Sequence, residues 1–314
     1  MLIPVLNRSW NSIFLSNEVQ QGGLAFMKLS VKRTLFGWLL AVPVLLGFFL
    51  FYVYPLFQTF QYSVSDKLTF GNYIGLQNYR DVLNSTAFQL ALKNTLRFYL
   101  ISLPLIVILP FFAAVWVQNH THGTGFLYKA IFLTILLPSA SLMIFVDLFC
   151  QKNGILCTLL DTDLDIYNSQ WAFWLLVILY LYKYGGFSFF TYSIALRRIE
   201  KSYYEEAIIS GASGVQCLWY VTLPFTLPYI FVVCVLALMN SYKIYREAYL
   251  IGGYYPHESI YLFQHYINNN FVHMNYSKLC CVSIVILVSA VAAAVLLYGI
   301  YRLTGRMLYE KNRK

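Results

Sequence analysis

Lys183 is the one charged side chain in the apolar stretch 171–196, set in the run Tyr182-Lys183-Tyr184-Gly185-Gly186-Phe187. In a bilayer an ionisable group costs about 2.5–3.5 kcal/mol on insertion scales, so it is a functional candidate by default. Two roles fit it. It could line a polar path through the apolar stretch, with Gly186 opening space beside it, or it could form an internal ion pair with Asp147 or Glu247. Asn240, Ser241, Tyr242, Lys243 and Tyr245 close another apolar stretch and offer the same path amide, hydroxyl and aromatic groups. Enzymatic constellations are missing. None of the 17 glycines begins a GxxxxGK[ST] run, so the chain does not hydrolyse ATP alone. The five histidines form no HExxH, and His120 and His122 sit on a polar connector without cysteine or carboxylate neighbours, which reads as a solvated loop and not a metal site. No clustered nucleophile or acid–base pair supports a membrane-embedded enzyme.

A second feature is a docking element. Residues 205–228 read Glu-Glu-Ala-Ile-Ile-Ser-Gly-Ala-Ser-Gly-Val-Gln-Cys-Leu-Trp-Tyr-Val-Thr-Leu-Pro-Phe-Thr-Leu-Pro between two long apolar stretches. Ser202 is the expected N-cap of a short helix whose first turns hold Glu205 and Glu206, complementing its dipole. Gly211 permits a tight turn or a close backbone approach, and Pro224 suits the start of the next helix. Such a helix is a poor span and a good contact surface.

The elements that hold these residues follow from composition. The 314 residues are 59% hydrophobic, 18% aromatic and 11% charged, with mean hydropathy +0.61. Soluble domains carry about a quarter charged residues, so the fold class is all-α integral membrane. A crossing needs about 20 mostly apolar residues. Six spans are expected: Leu35–Phe57, Thr95–Val117, a third from 130 to 146 and on to Asp147, Trp171–Leu196, a fifth beginning over Pro224–Tyr242, and Leu279–Tyr301. Pro104, Pro110 and Pro138 fall inside spans, which membrane helices tolerate. The six cysteines show no CxxC pair and read as small apolar residues.

Net charge +9 is read as orienting the spans, not as nucleic-acid binding. Thirteen of the 22 basic residues, among them Arg33, Lys129, Arg197, Arg198 and Arg302, fall on one side and eight on the other. By the positive-inside rule both termini and the 197–220 loop are expected in the cytoplasm. Residues 1–34 are then a cytoplasmic N-terminal segment and 302–314 a basic tail. Residues 1–26 lack the order of a signal peptide and are expected to be either a dispensable extension or a misassigned start before Met27.

Tyr204-Glu205-Glu206-Ala207, Gly211-Ala212 and Val221-Thr222-Leu223-Pro224 carry the complete spacing Glu-Ala-Ala, three residues, Gly, nine residues, Ile, one residue, Leu-Pro. This resembles the EAA loop of binding-protein-dependent ABC importer permeases. Glu206 replaces the first Ala, Ser210 the usual Asp and Val221 the Ile; Glu206 adds a charge at the docking surface. The likeness covers nearly the whole chain and is strongest to the sugar-importing, maltose-type subfamily. It includes Pro43 with Tyr54-Pro55-Leu56, the run from Gly71 to Tyr79, Ala91 to Thr95, and Lys183 to Phe187, where Tyr182 stands for Trp. Ser241 to Glu247 with Gly252-Gly253 also matches, although the third Gly and the Thr of that loop are missing.

The resemblance implies a type I ABC importer permease fold over 35–301. Its coupling loop, 200–224, would meet an ATPase through Tyr204, Glu205, Glu206, Ala207, Gly211, Ala212, Leu223 and Pro224. It implies a second homologous permease, two ABC ATPase subunits that bind ATP and Mg, an extracellular solute-binding protein, and a bacterial plasma-membrane location. This chain itself would carry no cofactor. The cargo implied is a sugar or short oligosaccharide. Glycerol phosphate or another small polar solute is the alternative, with Lys183 and Arg246 offering positive charge. A passive channel would share six spans but have no reason for the EAA spacing.

Overall fold

The computed structural model describes residues 31–66, 71–119, 124–152, 154–160 and 165–311. The expected extension at 1–26, together with His120, His122, Asp161 and Asp163, lies outside the described residues. The described residues divide into two compact units, one of residues up to 61 together with those from 306 on, the other within 62–305. In the first, α1 (Val31–Phe48) passes through a π-turn at Phe49–Val53 into α2 (Tyr54–Ser63). Tyr54 accepts a hydrogen bond from Gln58, and Thr59 donates back to the Pro55 carbonyl at 2.8 Å.

The second unit holds α3 (Gln77–Asn84), α4 (Thr86–Asn119), α5 (Thr124–Leu136), α6 (Ser139–Cys150), α7 (Ile155–Leu160) and α8 (Trp171–Arg197). After these come α9 (Lys201–Ile209), α10 (Gly214–Cys217), α11 (Leu223–Ser241), α12 (Tyr245–Gly252), α13 (Phe263–Val272) and α14 (Tyr276–Lys311), of which residues up to 305 fall in this unit. Among the described residues, six helical stretches are long and apolar enough to cross a membrane: Gly37–Ser63, Thr86–Asn119, Ser139–Leu159, Trp171–Arg197, Gly214–Gly252 and Tyr276–Gly305. Helices are the expected solution, because lipid offers no partner for backbone N–H and C=O groups.

The expected third span is displaced. Helix α5 stops at Leu136 and α6 starts at Ser139, with Pro138 between them at φ −68°, ψ 149°. Pro138 has no N–H for the next bond of α5 and biases Leu137 away from helix. Alone, the 13 residues of α5 reach only about 20 Å, short of the ~30 Å hydrocarbon core, and the span passes to 139–159. Pro104 and Pro110, by contrast, ride inside the unbroken α4.

Helices α4 and α8 are the spine. Phe98 meets Tyr180 edge-on at 5.4 Å, Phe111 meets Tyr192 at 5.4 Å, and Gln118 donates to the Leu196 carbonyl. Helix α11 joins them where the buried Tyr180 hydroxyl donates to the Ala237 carbonyl at 2.7 Å. At one end a separate cluster packs Val82, Phe88, Phe263, Tyr266 and Cys281. Five of the six cysteines are buried, in keeping with their reading as small apolar residues.

Candidate functional site

The loop between α8 and α11 is built from two short helices and one obligatory glycine. Helix α9 begins earlier than expected: Glu200 occupies the N-cap (φ −64°, ψ 140°) without a side-chain capping bond, and Ser202 lies in the first turn. The reason is the tight end of α8, where Arg198 and Ile199 bond back three residues to Ala195 and Leu196 and leave only Glu200 to turn the chain. Glu205 and Glu206 consequently sit past the first turn and complement the dipole little.

Gly211 ends α9. Its φ of +83° is left-handed backbone. Gly211 N–H donates to the Ile208 carbonyl and Ala212 N–H to the Ala207 carbonyl, both at 2.9 Å, which is the Schellman closure. Ser213 then caps α10 in a reciprocal box with Gln216.

One face of α9 seats this loop on the spans. Tyr204 shares a hydrogen bond with Thr222 at 3.0 Å, and Tyr203 packs on Phe225 at 4.9 Å. Ala207, Leu218 and Leu223 join the cluster of Phe189, Tyr192, Leu196 and Val221. Burial raises the pKa of the Tyr204 phenol, so it stays protonated and able to donate. The other face is open. Glu205, Glu206 and Gly211 are exposed, and so are Ile208 and Ile209, the latter at 86%. The sequence reading passed over these two isoleucines. Their signal was present: two bulky apolar residues beside two carboxylates on a helix too short to span.

Lys183 is committed to an ion pair. Its Nζ lies 2.5 Å from Glu247 Oε1 and donates to Ser139 Oγ at 2.6 Å. Glu247 is 0% exposed and Lys183 21%. The pair ties α8, α12 and α6 together. Asp147, the other partner considered, accepts instead from Tyr167 at 2.5 Å. Gly186 marks close packing: a Cβ there would lie 2.6 Å from Thr134 Oγ1 and 3.1 Å from the Ile131 carbonyl on α5.

Ser241, Tyr242 and Tyr245 do converge. With Thr95, Phe98 and Tyr99 of α4, Ile244, Leu262, Phe263, Gln264 and Ile286, they line a cavity of about 40 Å³. Tyr99 and Tyr242 meet edge-on at 5.5 Å. A 3₁₀ turn, Tyr242–Ile244, breaks the fifth span here. Tyr245 accepts from Asn268 and lies edge-on to His265 at 4.8 Å. Lys243 is exposed, donates to Asn240 at 3.2 Å, and like Asn240, Lys183 and Gly186 is off the lining. The lining residues from α4 and 262–286 carry no local sequence signal, since only packing brings them to 241–245.

The family described as binding-protein-dependent transport system inner membrane component matches residues 100–308. The arabinooligosaccharides transport system permease protein AraP of Halalkalibacterium halodurans is 26% identical over 225 residues, 68% of this chain and 70% of the relative. The probable ABC transporter permease protein YesP of Bacillus subtilis is 28% identical over 267 residues, 79% and 84% of the two chains. The trehalose/maltose transport system permease protein MalF of Thermococcus litoralis is 25% identical over 235 residues, 72% and 80%. Among solved structures, a bacterial ABC transporter importing the acidic polysaccharide alginate superposes with TM-score 0.74 at 19% identity, covering 87% of this chain and 96% of the other.

Proposed function

The chain belongs to the family of binding-protein-dependent transport system inner membrane components, and on that footing we propose that it is the permease subunit of an ATP-driven importer of a sugar or short oligosaccharide. It is a multi-pass membrane protein and not a catalytic subunit. The observation that carries the reading is the 200–224 loop: one face seated by Tyr203, Tyr204 and Ala207, the other presenting Glu205, Glu206, Ile208 and Ile209. A partner ATPase, which would bind ATP and Mg, docks on the open face, and its closure is delivered through Gly211, Leu223 and Pro224 to the fifth span. A second permease completes the pathway, and an extracellular binding protein delivers cargo at the opposite end. Both termini lie in the cytoplasm with this loop.

Cargo is inferred from the relatives named for arabinooligosaccharides and for trehalose and maltose, and from the hydroxyl- and ring-lined cavity at Ser241, Tyr242 and Tyr245. The test is radiolabelled uptake across a carbohydrate panel in cells with and without the protein, repeated in proteoliposomes with and without ATP. Uptake of at least one carbohydrate should be lost. Loss of amino-acid or peptide uptake with every carbohydrate unchanged refutes the cargo, and uptake indifferent to ATP refutes the importer.

A further inference from the structure

We infer that the cargo is an uncharged sugar, neither a uronate nor a phosphorylated polyol; this rests on the cavity at 241–245 being part of the proposed transport path. The lining consists of five aromatic residues, three aliphatic ones and the neutral polar residues Thr95, Ser241 and Gln264. It contains no acid and no base. Aromatic rings present apolar faces that stack on the C–H face of a pyranose, while hydroxyl and amide groups exchange hydrogen bonds with its hydroxyls. An anion entering the same walls loses its water and gains no counter-charge, which disfavours its entry.

The neighbouring cations are each occupied or outside the lining. Lys183, a cation in the middle of a span, is neutralised by the fully buried Glu247 at 2.5 Å and held further by Ser139. The Arg97 guanidinium, on the helix that supplies Phe98 and Tyr99, lies over the Phe173 ring at 4.2 Å. Lys243 donates to Asn240. Lys93 and Arg246 are exposed and are not among the lining residues. The positive charge that would favour glycerol phosphate is absent from this cavity.

At about 40 Å³ the cavity holds a water or two, so a sugar enters only when the walls part. The 3₁₀ turn at Tyr242–Ile244 is where the backbone of this wall is least regular.

Saturation-transfer NMR on the complete transporter in nanodiscs, without its binding protein, tests the inference because it reads weak contacts directly. The probes are trehalose, digalacturonate and glucose 6-phosphate at millimolar concentration. Trehalose should show transfer to its ring C–H protons, lost in Tyr242→Ala. Both anions should bind at least tenfold more weakly, a difference of about 1.4 kcal/mol. Gln264→Arg, which adds one uncompensated cation to the lining, should raise the digalacturonate signal without a matching rise for trehalose. Anion binding equal to that of trehalose in the unaltered protein, and weakened by Lys183→Gln or Arg246→Gln, overturns the inference and leaves the importer reading intact. Transfer to none of the three removes this cavity from the path. Failure of the importer reading shows separately, as carbohydrate uptake unaffected by loss of the protein.

Discussion

Gly211→Ala is the sharpest test of the loop, because the cost can be assigned to backbone alone. A Cβ at Gly211 would meet nothing within 4 Å, yet the residue sits at φ +83°. An L side chain in left-handed backbone costs roughly 1–2 kcal/mol. That energy is set against the two closing bonds, Gly211 N–H to Ile208 and Ala212 N–H to Ala207, so the capped population should fall about 5- to 30-fold relative to the open one. Gly214 supplies the control. It is in the same loop, also has open space for a Cβ, and lies at the start of α10 without positive φ. Gly214→Ala should be neutral or stabilise by about 0.4–1 kcal/mol. Amide exchange at 211 and 212 reads cap opening, and ATP hydrolysed per cargo molecule transported reads coupling. Gly211→Ala should raise both and Gly214→Ala neither. If exchange at 211 and 212 is unchanged in Gly211→Ala, the strain argument is wrong. If exchange rises while the ATP-to-cargo ratio stays constant, the cap is not part of coupling.

Three further outcomes follow from buried groups. Desolvation lowers the His265 pKa from 6.5 to about 4, so the unfolded chain binds the extra proton first as pH falls. Stability present above pH 6.5 should therefore drain away between 6.5 and 4, by up to about 3 kcal/mol; thermal melts across that range should show the slope, and His265→Asn should flatten it. Lys183→Met strands the carboxylate of Glu247 and should cost about 3–5 kcal/mol, whereas Lys183→Met with Glu247→Met should recover most of it, read as melting temperature in nanodiscs. Gly186→Ala forces a Cβ against Thr134 and the α5 backbone and should cost about 1–3 kcal/mol, relieved only in part by Thr134→Ala because the Ile131 carbonyl cannot be trimmed.

The six spans and the loop were legible because both are local signals. A charge-free run of the right length must be a helix in lipid, and the Glu-to-Gly-to-Leu-Pro spacing is read along one stretch of chain. The N-cap of α9 was misplaced at Ser202 because its position depends on how α8 ends, with Arg198 and Ile199 closing that helix in three-residue steps. The third span shifted for a related reason: the apolar run continues through Pro138, but its hydrogen-bond ladder does not. Lys183 was recognisable as exceptional, yet choosing between Asp147 and Glu247 required knowing that Tyr167 already holds Asp147. The cavity was half visible. Its wall at 241–245 is contiguous, while Thr95, Phe98, Tyr99 and Gln264 reach it only through packing.

The seated loop and the cavity are joined by one continuous element. Helix α11 has 19 residues, a rod of about 28 Å, and irregular turns bracket it: the π-turn Leu218–Thr222 below and the 3₁₀ turn Tyr242–Ile244 above. Thr222, which meets Tyr204, lies at the first turn, while Tyr242 and Tyr245 lie at and just past the second. A rod fixed at neither end by regular helix can shift as a unit, because the hydrogen-bond changes are confined to turns that already depart from α geometry. Motion of the α9 seat must therefore either reach the cavity wall through α11 or be absorbed at Leu218–Thr222. The Tyr204 to Thr222 bond and the Tyr203 to Phe225 contact span that π-turn and brace it, which favours transmission. Tyr204→Phe with Tyr203→Ala removes the brace while sparing the exposed face at Glu205, Glu206, Ile208 and Ile209, so under the proposed coupling role ATPase binding should persist and cargo-coupled hydrolysis should fall. Coupling unchanged in that variant would mean that the fifth span does not carry the motion.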